Sequence, residues 1–135
     1  MGISTKGRYA LRMMIDIAKA KDGVAVSLKT VAENQCVSYK YLEQIVMPLT
    51  RAGLVKSQRG ACGGYKLAKP ASQIKAGDIL RATEKSICPV DCVNLDIECD
   101  RRPKCQAFTF WKGLDDVIVE YVDSITLEDI VQNKR

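Results

Sequence analysis

The chain is expected to be mainly α-helical with one small β hairpin, and three features of its 135 residues point that way. Apolar residues recur at helical spacing from Thr5 to about Lys21, around Leu28 to Ala32, from Tyr39 to Leu49, and from Gln106 to Ser124. Two short runs, Leu54 to Ser57 and Tyr65 to Leu67, flank the glycine-rich segment Arg59-Gly60-Ala61-Cys62-Gly63-Gly64. A hydrophobic fraction of 47% allows a real core, and 27% charged residues argue against disorder.

The first helix carries Ala10, Leu11, Met14, Ile15 and Ala18 as its stripe, with Asp22-Gly23 as its stop. After the extended piece Val24-Ala25-Val26, Ser27 is the expected N-cap of a brief helix holding Leu28, Val31 and Ala32. A turn at Asn34-Gln35 leads to Ser38, a second N-cap, and to a longer helix with Tyr39, Leu42, Ile45, Val46 and Leu49 as its apolar face. Two helices joined by a tight turn, the second with polar residues opposite its apolar face, make a helix-turn-helix. Pro48 lacks the N–H that a helix interior needs, so a kink or break is expected near Met47. The hairpin that follows reads as a wing. Its glycines permit a sharp bend and close approach to a surface, and Arg59 is long enough to enter a minor groove. Further on, Phe108, Trp111, Leu114, Val117, Ile118, Tyr121 and Val122 give the helix from Gln106 to Ser124 a broad apolar face, and Thr126-Leu127-Glu128-Asp129 opens a short last helix with a capping box. A face this wide at the end of a small domain favours a dimer seam over intrachain core. The expected organisation is residues 1–81 as a DNA-binding domain, 82–105 as a cysteine-bearing loop, and 106–135 as a dimerisation helix plus a terminal helix.

Charge divides along the same lines. Residues 1–81 hold 14 Lys and Arg against 5 Asp and Glu, a net of +9, whereas residues 82–135 hold 7 against 11, a net of −4. A basic block of this size implies a polyanionic partner, most simply nucleic acid. The N-terminus has charged and polar residues where a signal peptide needs an apolar core, and no apolar run approaches the roughly 18 residues of a membrane span. A cytoplasmic chain is expected.

Four of the six cysteines, Cys88, Cys92, Cys99 and Cys105, fall in one stretch with the spacing C-x3-C-x6-C-x5-C, bounded by Pro89 and Pro103. Thiolates are soft ligands, and cytosolic thiols stay reduced, so such a cluster points to an iron-sulfur centre ahead of structural zinc, a redox thiol switch or inert cysteines. The spacing matches no zinc-finger pattern and neither common ferredoxin pattern. Cys36, just before the longer helix of the pair, reads as a small buried residue, and Cys62 at the hairpin tip as an exposed one. Catalytic equipment is scarce: there is no histidine, no phosphate-binding glycine loop, no nucleophile elbow and no C-x-x-C, so an enzyme is not expected.

Ser4-Thr5-Lys6-Gly7-Arg8-Tyr9-Ala10-Leu11, Tyr41-Leu42-Glu43-Gln44, Ala52-Gly53-Leu54-Val55, Arg59-Gly60 and Gly63-Gly64-Tyr65 together resemble the winged helix-turn-helix regulators of the Rrf family. The resemblance covers nearly the whole chain. It implies a homodimer with the long helix after the cysteine loop crossing its partner, and hence a pseudo-palindromic operator on double-stranded DNA with half-sites a helical turn or a multiple apart. Side-chain chemistry and the resemblance together assign Glu43 to the cytosine amino group and Gln44 to adenine. Ser38, Lys40 and Tyr41 are assigned to phosphate or base-edge contacts, Arg59 to the minor groove, and Lys6 and Arg8 to phosphates near the first helix.

Within that family the nearest cysteine pattern is that of the iron-sulfur regulators, and it implies a [2Fe-2S] cluster on Cys92, Cys99 and Cys105, with the first gap one residue longer here. The histidine that would follow is absent, and Phe108 stands in its place. Cys88 is the preferred fourth ligand, ahead of Asp91, Glu98, Asp100 or a group from the partner subunit. An aspartate ligand from the first helix, as in the nitric-oxide sensors, is disfavoured by Arg8. The resulting expectation is a repressor of iron-sulfur assembly or cysteine-supply genes, in which a cluster orders residues 88–105, sets the angle of the long helix and so spaces the recognition helices. Two alternatives stay open: a cluster-independent repressor of cysteine metabolism acting with a partner protein, which the first eighty residues resemble equally well, and a zinc or thiol-switch regulator.

Overall fold

The structure, a computed structural model, describes residues 2–21, 23–94 and 97–133. Among the described residues, six α-helices and one antiparallel hairpin follow in the order α1 (Thr5–Lys19), α2 (Leu28–Gln35), α3 (Tyr39–Arg51), β1 (Val55–Gln58), β2 (Gly64–Leu67), α4 (Ala76–Thr83), α5 (Gln106–Ser124) and α6 (Leu127–Val131). The mainly α fold with a two-stranded wing is therefore as expected. Asp22, half of the expected stop of the first helix, lies outside the described residues.

Helix α1 is central because it packs against α2, α3, α4, α6 and β2. Neighbours on so many sides bury a wider face than the expected stripe: Met13 and Ile17 join Ala10 and Met14 in the core, while Leu11, Ile15 and Ala18 are half-buried. Ser4 caps the helix by accepting from the Gly7 N–H at 3.1 Å. The Ser4 amide and hydroxyl in turn donate to Glu84 at 2.9 and 2.6 Å, placing a carboxylate where the helix dipole favours one.

Ser27 and Ser38 are both N-caps, accepting from the Thr30 and Tyr41 amides at 3.1 Å. The turn between α2 and α3 falls one residue later than expected, at Cys36, which adopts the left-handed conformation (φ 55°) while the Val37 N–H bonds back to the Ala32 carbonyl. As the C-cap at an outer corner, Cys36 is exposed rather than buried. Nor does α3 break at Met47. It continues through Pro48 to Arg51, since the proline sits in the last turn and Ile45, Val46 and Leu49 are buried on either side of it.

The wing pairs Val55 with Leu67 and Gln58 with Gly64. A third piece of backbone joins it: Val26 and Tyr65 exchange two hydrogen bonds of 2.8 Å, so the wing is stitched to the residue preceding the α2 cap.

Helix α4 was not legible in the sequence, and the expected domain divide after residue 81 falls within it. The helix has eight residues with Gly77 inside and Lys75 at the cap position, where Asp78 substitutes by accepting from the Lys75 amide at 3.0 Å. It links the two halves of the chain, packing on α1 and α3 and on α5. Arg81 and Asp123 form a two-pronged ion pair between α4 and α5 at 2.7 and 2.9 Å. Hydrogen bonding to Arg81 holds the Asp123 carboxyl below the usual carboxylate range. The capping box of α6 is present, with Asp129 and Thr126 bonded to each other's backbone at 3.0 Å. Leu127 is fully buried, and its amide reaches the Ile74 carbonyl at 2.8 Å, so the chain's end returns to the α1 core.

Candidate nucleic-acid interface and cysteine loop

Burying Leu42, Ile45, Val46 and Leu49 leaves one side of α3 free, and Tyr39, Lys40, Glu43, Gln44 and Met47 are exposed on it. Glu43 and Gln44 therefore have donors and acceptors at hand for base edges, the geometry a reading helix needs. Met47, 60% exposed and one turn beyond them, is an apolar member of that surface not expected from the sequence, where the neighbouring Pro48 marks the position as a kink. Tyr41 is half-buried, its ring edge-on to Tyr9 at 6.1 Å within the α1–α3 packing, and the Arg12 guanidinium covers Tyr9 at 5.4 Å. The Ser38 side chain serves as the α3 cap. Arg8 is exposed and Lys6 half-buried on α1. Arg59 is exposed at the wing turn, where Gly60 (φ 107°) accepts from the Gly63 amide at 2.9 Å and Cys62 is exposed.

All six cysteines are free thiols. Cys88 is half-buried and its amide donates to Ser86 at 3.1 Å. Cys92 lies in a short 3₁₀ turn, Asp91–Val93, which packs on α5 through this segment and buries Val93. Cys99 is exposed, and the half-buried Cys105 is the N-cap residue of α5 without a side-chain capping bond. Residues 95 and 96, between Cys92 and Cys99, lie outside the described residues.

Arg102 makes several contacts within the loop that the sequence does not announce. Its Nη2 donates to the carbonyls of Ile97 at 2.6 Å, Cys92 at 3.0 Å and, more weakly, Asn94 at 3.5 Å. The guanidinium lies 5.5 Å from the centre of the Phe108 ring. Phe108 thus offers a packing surface where the family resemblance implies a histidine ligand.

The donor set suits a soft metal centre, with four thiols and no histidine in the chain. It is not assembled: among the described residues no three His, Cys, Asp or Glu side chains are grouped closely enough to hold a metal ion. Two parts of the loop do meet the same helix, at the 3₁₀ turn beside α5 and at Cys105, its N-cap residue.

Helix α5 contributes no buried residue in this chain despite its 19 residues. Phe108, Trp111, Leu114, Ile118 and Val122 are half-buried, whereas Phe110, Val117 and Tyr121 are 65, 61 and 66% exposed. The expected stripe therefore splits, and Phe110, absent from it, completes the outer part. Gly113, one turn from Phe110 and from Val117, faces open space. No helix among the described residues is long and apolar enough to cross a membrane.

Comparison with known proteins agrees with this architecture. The family model described as "Rrf2: Iron-dependent Transcriptional regulator" matches residues 3–133. The transcriptional regulator CymR of Bacillus subtilis is 45% identical over 130 residues, 96% of this chain and 89% of that one. The transcriptional regulator IscR of Pectobacterium atrosepticum is 37% identical over 135 residues, 100% of this chain and 82% of that one. Among solved structures, that of CymR, the global cysteine regulator of B. subtilis, superposes with a TM-score of 0.85 at 43% identity, covering 100% of this chain and 99% of the other. The structure of T. potens IscR gives 0.79 at 39%, covering 98% and 88%. These relatives are regulators, not enzymes. With a family match over almost its full length and the winged helix-turn-helix architecture in place, the chain belongs to the Rrf2 family and is a DNA-binding transcriptional regulator.

Proposed function

We propose that this regulator is a cytoplasmic homodimeric repressor that binds a pseudo-palindromic operator, and that its DNA affinity is set by a [2Fe-2S] cluster on Cys92, Cys99, Cys105 and Cys88. One observation carries the reading: the four-cysteine loop connects α4, which packs on α1 and α3, to α5, on which the loop's own 3₁₀ turn is seated. A change in that loop reaches both the reading helix and the helix with the exposed apolar face. The cluster, when bound, would supply a one-electron centre and a fixed charge; four thiolates add more negative charge than three would, which makes its reduction harder. The chain's own part is to present the thiolates, bury Val93 against α5 and convert loop geometry into α5 position. The likeness to both IscR and CymR supports control of iron-sulfur assembly or cysteine-supply genes as the reading of its targets.

Anaerobically reconstituted protein is expected to contain iron and acid-labile sulfide with visible absorption, and Cys92→Ser to lose most of both. Colourless protein with stoichiometric zinc, or unchanged iron in the variant, overturns the cluster. The second reading, a cluster-independent repressor of cysteine metabolism acting with a partner protein, is favoured by the close superposition on CymR. It predicts that replacing all four loop cysteines with serine leaves operator binding intact.

For DNA, Ser38, Lys40, Tyr41, Lys6 and Arg8 act on the backbone or base edges, Arg59 in the minor groove, and Glu43 and Gln44 on bases. Because Tyr41's ring is packed edge-on against Tyr9, its hydroxyl is the group left to contribute to DNA. Glu43→Ala is expected to reduce discrimination at one base pair per half-site by about 1–3 kcal/mol, with a smaller effect on nonspecific affinity. Competition binding with single-base operator variants measures this, and an unchanged rank order of operators removes Glu43 as a base reader.

A further inference from the structure

We propose that Arg102 is the positioning residue of the cysteine loop, holding it folded before any metal arrives. The reasoning starts from what this one residue touches. Its side chain donates to the Cys92 carbonyl at 3.0 Å, its amide donates to the Cys99 carbonyl at 3.1 Å, and its own carbonyl accepts from the Cys105 amide at 3.2 Å. The backbones of the three thiols assigned above as ligands thus meet at position 102, those of Cys99 and Cys105 through its main chain and that of Cys92 through the guanidinium, which is the arginine's own contribution. The same Nη2 that reaches Cys92 also reaches Ile97 at 2.6 Å, and the guanidinium rests on Phe108, inside the first turn of α5. Arg102 is half-buried, and its Nε is buried without a hydrogen-bond partner. Leaving that donor unsatisfied is unfavourable, and the other guanidinium bonds to loop carbonyls offset it.

A loop of this length closes on a centre only by losing conformational freedom, and a residue that has already restricted it lowers that cost at the moment of binding. The sensor then switches between two held arrangements of the segments around Cys92 and around Cys99 to Cys105, whereas the sequence alone suggested a loop that a cluster orders. The regulatory meaning of this rests on the cluster reading above.

The test uses the full-length, reduced, metal-free protein and two measurements. In hydrogen exchange, Arg102→Gln is expected to speed exchange of the Val93, Asn94 and Ile97 amides about tenfold, with α3 and α4 unchanged, showing that the fold is intact. Titrated with Co(II) alone and followed by thiolate charge-transfer absorption, the variant is expected to bind about tenfold more weakly than wild type. Phe108→Leu, which removes the ring but keeps the charge, should shift both in the same direction by less. Equal exchange in wild type and Arg102→Gln overturns the proposal, as does Co(II) binding that is equal, tighter in the variant or undetectable in both. If iron and sulfide never assemble while the exchange and Co(II) results hold, the cluster reading fails and the role of Arg102 stands.

Discussion

Replacing Val117 and Tyr121 together with glutamate is expected to yield a folded monomer whose affinity for a two-half-site operator drops at least about a hundredfold, the scale lost when two linked binding events become separate. Both side chains are more than 60% exposed, so the change removes little intrachain packing, and surface substitutions of this kind usually alter stability by no more than about 0.5 kcal/mol. What it removes is the apolar outer side of α5. Large side chains at positions 110, 117 and 121 leave a contiguous apolar strip on a 19-residue helix with no buried residue of its own, which is the surface a second copy would cover. Two acidic groups on that strip would each meet a twofold-related copy of themselves or apolar surface, and either is unfavourable. Sedimentation analysis reads the oligomeric state and fluorescence anisotropy the operator affinity. A variant that remains dimeric at micromolar concentration places the seam elsewhere.

Gly64→Ala is expected to lower stability by about 3 kcal/mol or more, the magnitude of a backbone clash added to a strained φ. Gly64 has φ 150°, and a Cβ there would lie 2.5 Å from the Val26 carbonyl carbon and 2.7 Å from the Ser27 nitrogen. Those atoms are backbone and cannot rotate away. The neighbouring Val26–Tyr65 bridge seats the wing beside the α2 cap, so the methyl separates the wing from the helical body as well as straining it. DNA binding should fall with it, because Arg59, the proposed minor-groove contact, is carried on that hairpin. Urea unfolding measures the stability change. Gly60→Ala is the control: its φ of 107° is also positive, but nothing lies within 4 Å of the added carbon, so it isolates conformational strain from collision. Equal losses in the two variants would show that the close approach to Val26 is unimportant.

These expectations draw unequally on sequence and structure. The span Gln106–Ser124 could be read from periodicity because a long amphipathic helix repeats its pattern over five turns, and the serine caps at 27 and 38 announce themselves chemically. Helix α4 could not, since eight residues with an internal glycine and no conventional cap residue carry too little pattern. Cys36 misled for a related reason: composition makes cysteine a buried residue, but position 36 is decided by the left-handed turn that α2 and α3 require of it. At the candidate site, the spacing of the cysteines and the polar side of α3 were visible in the chain, whereas Arg102 was one cation among many.

From the residues alone came the family likeness, the mainly helical plan with a wing, the basic front half and the gathering of four thiols in one segment, because each depends on local order along the chain. Tertiary structure decided that α5 leaves Phe110, Val117 and Tyr121 uncovered, that α4 joins α3 to α5, and that Arg102 meets the backbones of Cys92, Cys99 and Cys105. Those depend on which surfaces meet across long separations. Helical periodicity states that a face is apolar, and only packing determines how much of it one chain can bury.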